Sequence, residues 1–308
     1  MQKALPKTGF KKFPSPSQLF DATQIDLKKL PHSFSKFRFG VASSLSVPQP
    51  LPSPPSLPPA IDGPEYFVGK QEESKMDKRS ALCGLQSGER GALDRLERYL
   101  GGPANTYHKT RNGMVGAAYS TKFSVFFAVG ALSPRLAWHR TQRLVKQSKD
   151  ARACPRTALE LEFLWAEYFH LLQKSLSPVQ FFGWESLRGQ KPPVVVEDKN
   201  VLEKWQRGET GNPFVDANMK ELVATGFMSN RGRQNAASYL IFDLKQDWRK
   251  GAAFFEKYLF DHCADVNSGN WKYIAGCLTD VRDTKFDVEQ QRKRYDADGR
   301  FVKLWTKA

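Results

Sequence analysis

Proline is distributed so unevenly along this chain that it divides the sequence into two regions. Of the 19 prolines, 12 lie within residues 1–64, where VPQPLPSPPSLPPAIDGP is the densest stretch. Proline has no backbone N–H and a fixed φ, so such a stretch favours extended polyproline conformation and cannot form a packed core of its own. We therefore predict a Pro/Ser-rich basic linker over residues 1–64 and one folded domain over residues 65–308.

The folded region has enough apolar material for a core, and the chain as a whole is strongly basic. Hydrophobic residues make up 40% of the 308 residues, and the net charge is +15. Such an excess of charge concerns partners rather than fold: nucleic acid is the first candidate and an anionic membrane surface the second. The longest apolar run, VFFAVGAL at 125–132, is shorter than the ~18–20 residues that a spanning helix requires, so we expect no membrane insertion.

Targeting signals and cysteines indicate an intracellular protein. Residues 1–60 contain eight Lys/Arg and two acidic residues, which is compatible with an organellar transit peptide, yet only one of the eight is Arg and no sustained amphipathic helix is visible. The four cysteines show no metal-type or redox-type spacing, and we interpret them as reduced thiols: Cys83, Cys154, Cys263 and Cys277. We expect an intracellular location, for which the sequence leaves nucleus and organelle open, and no metal site.

Helical patterns dominate the folded region. Leucines recur at helical spacing within residues 87–100, and Thr157 with Glu160 forms a capping-box pattern at the start of another apolar stretch. Further helices are predicted over residues 157–175, 217–227 and 230–243, and the predicted N-caps are Thr157, Asp216 and Asp247.

One stretch, ELVATGFMSNRGRQN at 221–235, concentrates polar side chains on one helix face. Asn230, Arg233 and Gln234 stand at positions i, i+3 and i+4, so they share a face. Two amides and a guanidinium suit a flat polar ligand with many donors and acceptors better than they suit core packing. A solvated helix face explains the same pattern about equally well.

A second polar cluster, STKFS at 120–124, lies at the start of a predicted apolar helix. Hydroxyls, free N–H groups and the ammonium of Lys122 at a helix start make an anion site, although a plain Ser/Thr N-cap is the commoner explanation of such a segment. A third cluster places Glu162 on one helix face with Trp165 and Phe169. A carboxylate beside large aromatic rings has its pKa raised by burial, whereas at the rim of an ordinary amphipathic helix it stays solvated.

The residues themselves favour the functional interpretations. TGFMSNRGRQNAASYLIFDL, followed by DW and by GNWKYIAG, closely resembles the flavin-binding core of the photolyase/cryptochrome family, and cryptochrome DASH is the closest subgroup. The resemblance runs from about Leu30 to Ala308. It implies an all-α, helical FAD-binding domain over residues 65–308. The antenna domain of the family has no counterpart in these residues, so we expect the chain to begin inside the interdomain linker and to bind no antenna chromophore.

The resemblance also implies a role for individual residues. The residues expected to bind FAD are Tyr107, Ser120, Thr121, Lys122, Phe123, Ser124, Glu162, Asn230, Arg233, Asp261 and Asn267. The residues expected to contact DNA are Glu162, Trp165, Asn230, Gln234 and Tyr273. The residues expected to take part in catalysis are Glu162, Trp165, Asn230, Asn267, Trp248 and Trp271, the last two as electron donors to the flavin.

Three positions depart from the family pattern. Ala166 stands where an arginine usually follows the tryptophan of E-x-x-W, and Cys263 stands where a second aspartate is usual. A thiol is a weak hydrogen-bond partner, so one cofactor contact is expected to be lost or made by backbone. The third tryptophan of the family's electron chain falls at about Val195, which cannot be oxidised. Trp205 lies ten residues on, and sequence alone does not give its distance from Trp271.

The resemblance implies repair of cyclobutane pyrimidine dimers by an electron from light-excited reduced FAD, with single-stranded DNA as the favoured substrate. We expect a carbon–carbon lyase of the deoxyribodipyrimidine photolyase type. Two alternatives stay open at this point: a blue-light photoreceptor that binds nucleic acid without repair, and a degenerate fragment that no longer holds flavin.

Overall fold

The protein folds as an assembly of helices, as predicted. The computed structural model describes residues 19–52, 55–56, 76–146, 155–187, 189, 191–278 and 285–307, and no strand occurs among them. The helices are α1 (Phe34–Lys36), α2 (Gly88–Leu100), α3 (Tyr107–Thr110), α4 (Ser124–Ala128), α5 (Pro134–Lys146), α6 (Pro155–Ser175), α7 (Pro178–Phe182), α8 (Lys199–Arg207), α9 (Pro213–Thr225), α10 (Asn230–Ser238), α11 (Trp248–Tyr258), α12 (Ala264–Ile274), α13 (Val288–Tyr295) and α14 (Arg300–Thr306). Within the described part of the chain, no helix combines the length and the apolar character that crossing a membrane requires.

Two of the predicted helix starts are wrong. The N-cap of α9 is Asn212, whose side chain accepts from the N–H groups of Phe214 and Val215, because Pro213 presets the first helical turn. Asp216 instead accepts hydrogen bonds from Thr210 and Gly211 in the preceding turn. Helix α6 begins at Pro155, which puts Thr157 inside its first turn, and the Thr157 side chain lies outside the described residues.

Other helix termini follow the predictions. Helix α2 spans Gly88–Leu100, and the Asp247 carboxylate accepts from Arg249 N at 2.8 Å at the start of α11. Helix α10 continues as a π-turn over Tyr239–Asp243, so the predicted helix at 230–243 has the right length but a wider last turn.

Two hydrophobic clusters form the core. The first contains residues 19–47 together with α2, α4, α5 and α6, and the second contains α8 to α14. Helices α6 and α12 join the clusters at Gly269, where an added Cβ would run into the Phe169 ring. A glycine is therefore required for this close approach. A cavity lies between the two clusters, with walls from both.

Residues 19–50 pack against the helical domain. The N–H groups of Leu19 and Phe20 donate to the carboxylate of Glu167 at 2.8 and 3.2 Å, and Arg135 donates to the two carbonyls of the same residues. Their side chains are 1–2% exposed. The described part of the proline-rich region thus adds side chains to the domain's core. The boundary at residue 64 stays a prediction, because residues 57–75 lie outside the described residues.

The C-terminal segment folds back on the domain, as expected, but it is less solvated than the sequence suggests. Phe301 and Trp305 of α14 are 0% and 4% exposed, and α14 packs against α9. This basic segment therefore belongs to the second cluster.

Candidate functional site

A cavity of about 440 Å³ lies where the two hydrophobic clusters meet. Every site residue predicted from the sequence lines it except Trp248. Two of its walls carry most of the polar chemistry. The arginine wall comprises α10, α11, α12 and the turn between the last two; the glutamate wall comprises α3, α6 and the loop 117–124.

The arginine wall is built around a buried ion pair. Arg233 Nη2 lies 2.9 and 2.8 Å from the two carboxylate oxygens of Asp261, and Arg233 Nε donates to the Met228 carbonyl at 2.9 Å. The Asp261 side chain is 2% exposed and that of Arg233 25%. Paired charges at this depth are held in one geometry, because separating them leaves a charge in a poorly solvated site.

Polar groups beside this ion pair face the cavity. Asn230 and Gln234 line it together with Arg233, so the shared helix face borders the cavity, and Asn230 is at the same time exposed to solvent. Gln234 Oε1 is buried and has no hydrogen-bond partner among the described residues. The Asn267 amide donates to the Ala252 carbonyl at 2.9 Å, which fixes its orientation and leaves its oxygen for a ligand donor.

The loop 117–124 has an unusual backbone. Ser120 and Lys122 have φ of 63° and 59°, and among the described residues only one other non-glycine residue, Lys245, has a positive φ. Arg95 donates to the carbonyls of Thr121, Ala117 and Ser120 at 2.9, 2.7 and 3.1 Å. Left-handed residues beside right-handed ones gather backbone N–H groups into an anion-binding concavity. The N-cap of α4 is Phe123 and has no side-chain cap bond, so the plain Ser/Thr N-cap does not explain this segment.

A buried lysine and a buried glutamate lie next to this loop. Lys122 and Glu221 are 3% and 1% exposed, and the Lys122 ammonium lies 4.5 Å from the centroid of the Phe227 ring. Burial lowers the pKa of Lys122, and the negative charge of Glu221 partly opposes that shift. Burial also raises the pKa of Glu221, against the influence of Lys122 and Arg233. One Glu221 oxygen, Oε2, has no hydrogen-bond partner among the described residues.

The glutamate wall carries a second, more open ion pair. Arg111 Nη1 lies 2.6 Å from Glu162 Oε1, and the two side chains are 34% and 40% exposed to the cavity and its mouth. Burial raises the pKa of Glu162. The charge of Arg111 and its hydrogen bond to Glu162 lower that pKa and offset part of the rise. A neutral Glu162 carboxyl can donate a hydrogen bond to a ligand carbonyl, and an ionised one can only accept.

Aromatic rings complete the glutamate wall. Trp165 borders the cavity, and its ring centroid lies 5.6 Å from that of Tyr273. The two rings are inclined at 63°. Phe34, which belongs to the same hydrophobic cluster, stacks on the indole of Trp165 with centroids 3.7 Å apart. The lining thus offers a flat ligand both aromatic faces and edges.

The two tryptophans expected to donate electrons to the flavin differ in their position relative to the cavity. Trp271 lines the cavity, and its indole contacts Trp205 at a centroid distance of 6.2 Å. Trp248 is buried away from the cavity lining, at 1% exposure. The Val196 N–H donates to the Lys245 carbonyl and the Gln246 amide donates to the Val196 carbonyl, so the loop containing Val195 is held beside the start of α11.

Two of the three departures from the family pattern lie in the cavity. Ala166 and Cys263 are among its lining residues. Burial raises the pKa of the Cys263 thiol, so it presents a neutral, weak hydrogen-bond donor in place of a carboxylate. Asp265, nearby in sequence, does not replace the lost carboxylate, because it pairs with His170 at 3.0 Å.

Sequence reasoning missed four residues that shape the site. Arg111 carried a usable signal, since it stands four residues after Tyr107 and shares its helix face. Arg95 and Phe34 carried none, because each reaches the site from a distant part of the chain. Glu221 begins the stretch 221–235, but its charge alone gave no reason to place it beside Lys122. Among the described residues, no group of three or more His, Cys, Asp or Glu side chains is arranged to hold a metal ion.

The chain is similar to known proteins in sequence and in fold. Residues 161–308 match the family model described as the FAD binding domain of DNA photolyase. Cryptochrome DASH of Gloeobacter violaceus is 40% identical over 286 residues, which is 91% of this chain and 56% of that protein. This chain therefore spans little more than half the length of that curated relative.

Two solved structures share the fold. A cryptochrome from Synechocystis superposes with a TM-score of 0.79 at 37% identity, covering 94% of this chain and 61% of that chain. A class III photolyase from Agrobacterium tumefaciens superposes with a TM-score of 0.74 at 26% identity, covering 94% of this chain and 60% of the other.

Proposed function

Because this chain belongs to the photolyase/cryptochrome family, we propose that it holds FAD in the cavity and repairs cyclobutane pyrimidine dimers under blue light, preferentially in single-stranded DNA. One observation carries the proposal. The buried Arg233–Asp261 pair and the more open side chains of Glu162 and Trp165 line one cavity. A cofactor and a substrate can therefore meet there.

The residues present fit an FAD. The loop 117–124 supplies a concavity of N–H groups with Lys122 beside it, which suits a diphosphate. Gln234 Oε1 is a buried acceptor without a partner among the described residues, and the Asn267 amide is fixed by Ala252. A flat ring with several donors and acceptors would satisfy both. Tyr107, Thr121 and Ser124 would line the diphosphate end, and Asn230, Arg233, Asp261 and Asn267 the ring end.

When bound, the reduced flavin would supply the electron that opens the dimer and would take it back afterwards. The protein supplies binding, orientation and electrostatics. Glu162 would hydrogen-bond the base edge, most strongly when its raised pKa keeps it neutral. Trp165 and Tyr273 would stack against the two bases, and Asn230 and Gln234 would line the mouth.

The substrate would have to leave the base stack to enter the cavity. Extruding a nucleotide from a duplex costs a few kcal/mol, and a single strand avoids most of that cost. The net charge of +15 would hold the phosphates through counterion release, so log affinity should fall linearly with log salt.

A direct experiment tests this function. The purified chain should retain one FAD per protein, and after chemical reduction and illumination it should restore an oligonucleotide that contains one thymine dimer. Loss of the dimer would be measured by chromatography, with a dark sample as control. A flavin-loaded protein that leaves the dimer intact would overturn the repair proposal.

A second function, light sensing without repair, is favoured by Ala166 and Cys263, which remove groups that the family uses around the flavin. The same assay separates the two functions, because a sensor would bind flavin and DNA and leave the dimer in place. A protein without flavin would support the third possibility, a fragment that has lost its cofactor.

A further inference from the structure

Phe34, from the proline-rich region, stacks directly on Trp165. The ring centroids are 3.7 Å apart and the planes are inclined by 9°. Phe34 is 7% exposed, whereas Trp165 is half-buried and borders the cavity. One whole face of the indole is therefore covered by the protein's own N-terminal segment, and a flat ligand in the cavity can reach only the rest of the ring.

Three other aromatic rings surround the same indole. Tyr168, Phe169 and Tyr273 have their centroids 6.2, 5.6 and 5.6 Å from that of Trp165, at inclinations of 76°, 37° and 63°. None of the three lies parallel to the indole. Phe34 is thus the ring that sets the plane in which the Trp165 indole lies.

Phe34 is held firmly enough to perform this task. It lies in the single turn of α1, and the Phe37 N–H that follows donates to the Ser33 carbonyl at 2.9 Å. The Tyr168 hydroxyl donates to the Pro31 carbonyl at 3.2 Å, just before the turn. Phe37 is 0% exposed. Both ends of the turn are therefore anchored to the domain.

We propose that Phe34 is a positioning residue that fixes the plane of the Trp165 indole as a stacking platform for the bases of the lesion. The inference rests on the proposed binding of dimer-containing DNA. It adds Phe34 to that site, although Phe34 lies more than 100 positions before Trp165 in the sequence. A base gains most from stacking when the aromatic partner is already held in the bound orientation, since no rotamer has then to be ordered on binding.

The chain offers a matched control for this proposal. Phe37 belongs to the same segment, is the same residue type and is buried more completely. Its ring contacts Tyr168 at 5.2 Å and Phe34 at 6.4 Å, and no ring contact with Trp165 occurs among the described residues. Phe37→Ala therefore reproduces the loss of packing in this segment without touching the platform directly.

The experiment measures dark binding of FAD-loaded protein to two single-stranded oligonucleotides of one sequence, with and without a thymine dimer, by fluorescence anisotropy. For Phe34→Ala we expect the affinity for the dimer strand to fall about three- to tenfold, the fold-change that corresponds to one aromatic pair, with little change for the undamaged strand. Phe34→Leu, which fills most of the space without a flat ring, should show the same loss if Phe34→Ala does not fold. Phe37→Ala should keep the parent's preference for the dimer strand.

The possible outcomes separate the two proposals. A parent protein that binds both strands equally overturns the proposed function and this inference with it. A parent that prefers the dimer strand, with Phe34→Leu or Phe34→Ala equally selective, overturns the inference alone. An equal loss of selectivity in Phe37→Ala also overturns it, because the effect then comes from general loosening of the segment.

Discussion

The two walls of the cavity hold similar ion pairs in different surroundings. In the arginine wall the Asp261 carboxylate is 2% exposed, whereas in the glutamate wall Arg111 and Glu162 are 34% and 40% exposed. A buried pair is costly to separate and an open pair exchanges readily with solvent or ligand. The Arg233–Asp261 pair is thus suited to a cofactor that stays bound, and the Arg111–Glu162 pair to a substrate that enters and leaves.

The walls also differ in how they are assembled. The arginine wall comes from three consecutive helices, and its closest approach is at Gly251, where an added Cβ would run into the Trp271 ring. The glutamate wall combines Phe34, Arg111, the loop 117–124 and Glu162. Neighbouring helices position the first wall, whereas the second depends on contacts between distant segments.

The largest effect is expected from breaking the buried pair. Arg233→Ala leaves the Asp261 carboxylate without its partner, so the free energy of unfolding should fall by about 3–5 kcal/mol and FAD should be lost. Urea denaturation and the flavin absorbance of the purified protein measure the two effects. The double variant Arg233→Ala/Asp261→Asn removes the unpaired charge of Asp261 and should recover much of the lost stability. If Arg233→Ala alone were as stable as the parent, the pair would not be buried in solution.

The second prediction concerns electron transfer within the arginine wall. Trp271 contacts Trp205, which is fully buried. Among the described ring contacts of Trp271 there is no exposed aromatic ring to which an electron hole could move. The hole should therefore stay near the flavin and recombine with the electron there. We expect slow photoreduction of oxidised FAD in the parent, almost none in Trp271→Phe and faster reduction in Val195→Trp. Bleaching of the flavin absorbance under blue light with a thiol reductant measures this, with Trp138→Phe as control. A long-lived exposed tryptophan radical in the parent would contradict it.

The third prediction uses the pKa of Glu162 in the glutamate wall. Burial raises this pKa, so folding favours the neutral carboxyl between the ordinary glutamate value, about 4.3, and the raised one. As pH rises through that window Glu162 ionises, and both the stability and the affinity for a dimer-containing strand should decline. The difference between the parent and Glu162→Gln, followed across pH, isolates the effect. A difference in stability that does not vary with pH would mean that folding does not raise the pKa of Glu162.

The smallest effect is expected from the open pair. Arg111→Ala should lower the free energy of unfolding by less than about 1 kcal/mol, because solvent screens a pair that is a third or more exposed. FAD should be retained. The pKa of Glu162 should rise further without the Arg111 charge, so the decline in affinity should move to higher pH. Thermal denaturation and the same binding titration measure this, and a loss as large as that of Arg233→Ala would remove the distinction between the walls.

Some features of the site followed from local sequence. Asn230, Arg233 and Gln234 were expected on one face because helical spacing alone relates them, and all three line the cavity. The N-cap Asp247 was correct for the same reason. The prediction of Asp216 as an N-cap was wrong. Pro213 starts α9 three residues before Asp216, so Asn212 is the N-cap. The functional roles came from resemblance to a family and remain predictions to be tested by the experiments above.

The sequence by itself determined most of the helices and the polar face of α10, because those properties depend on residues a few positions apart. Only the tertiary structure decided which wall each residue joins. Phe34 stacks on Trp165, Arg95 holds the carbonyls of the loop 117–124, and Trp205 rather than Trp248 contacts the Trp271 ring. These contacts join segments that no periodicity relates. They form because close packing of two hydrophobic clusters leaves each large side chain few places where it fits.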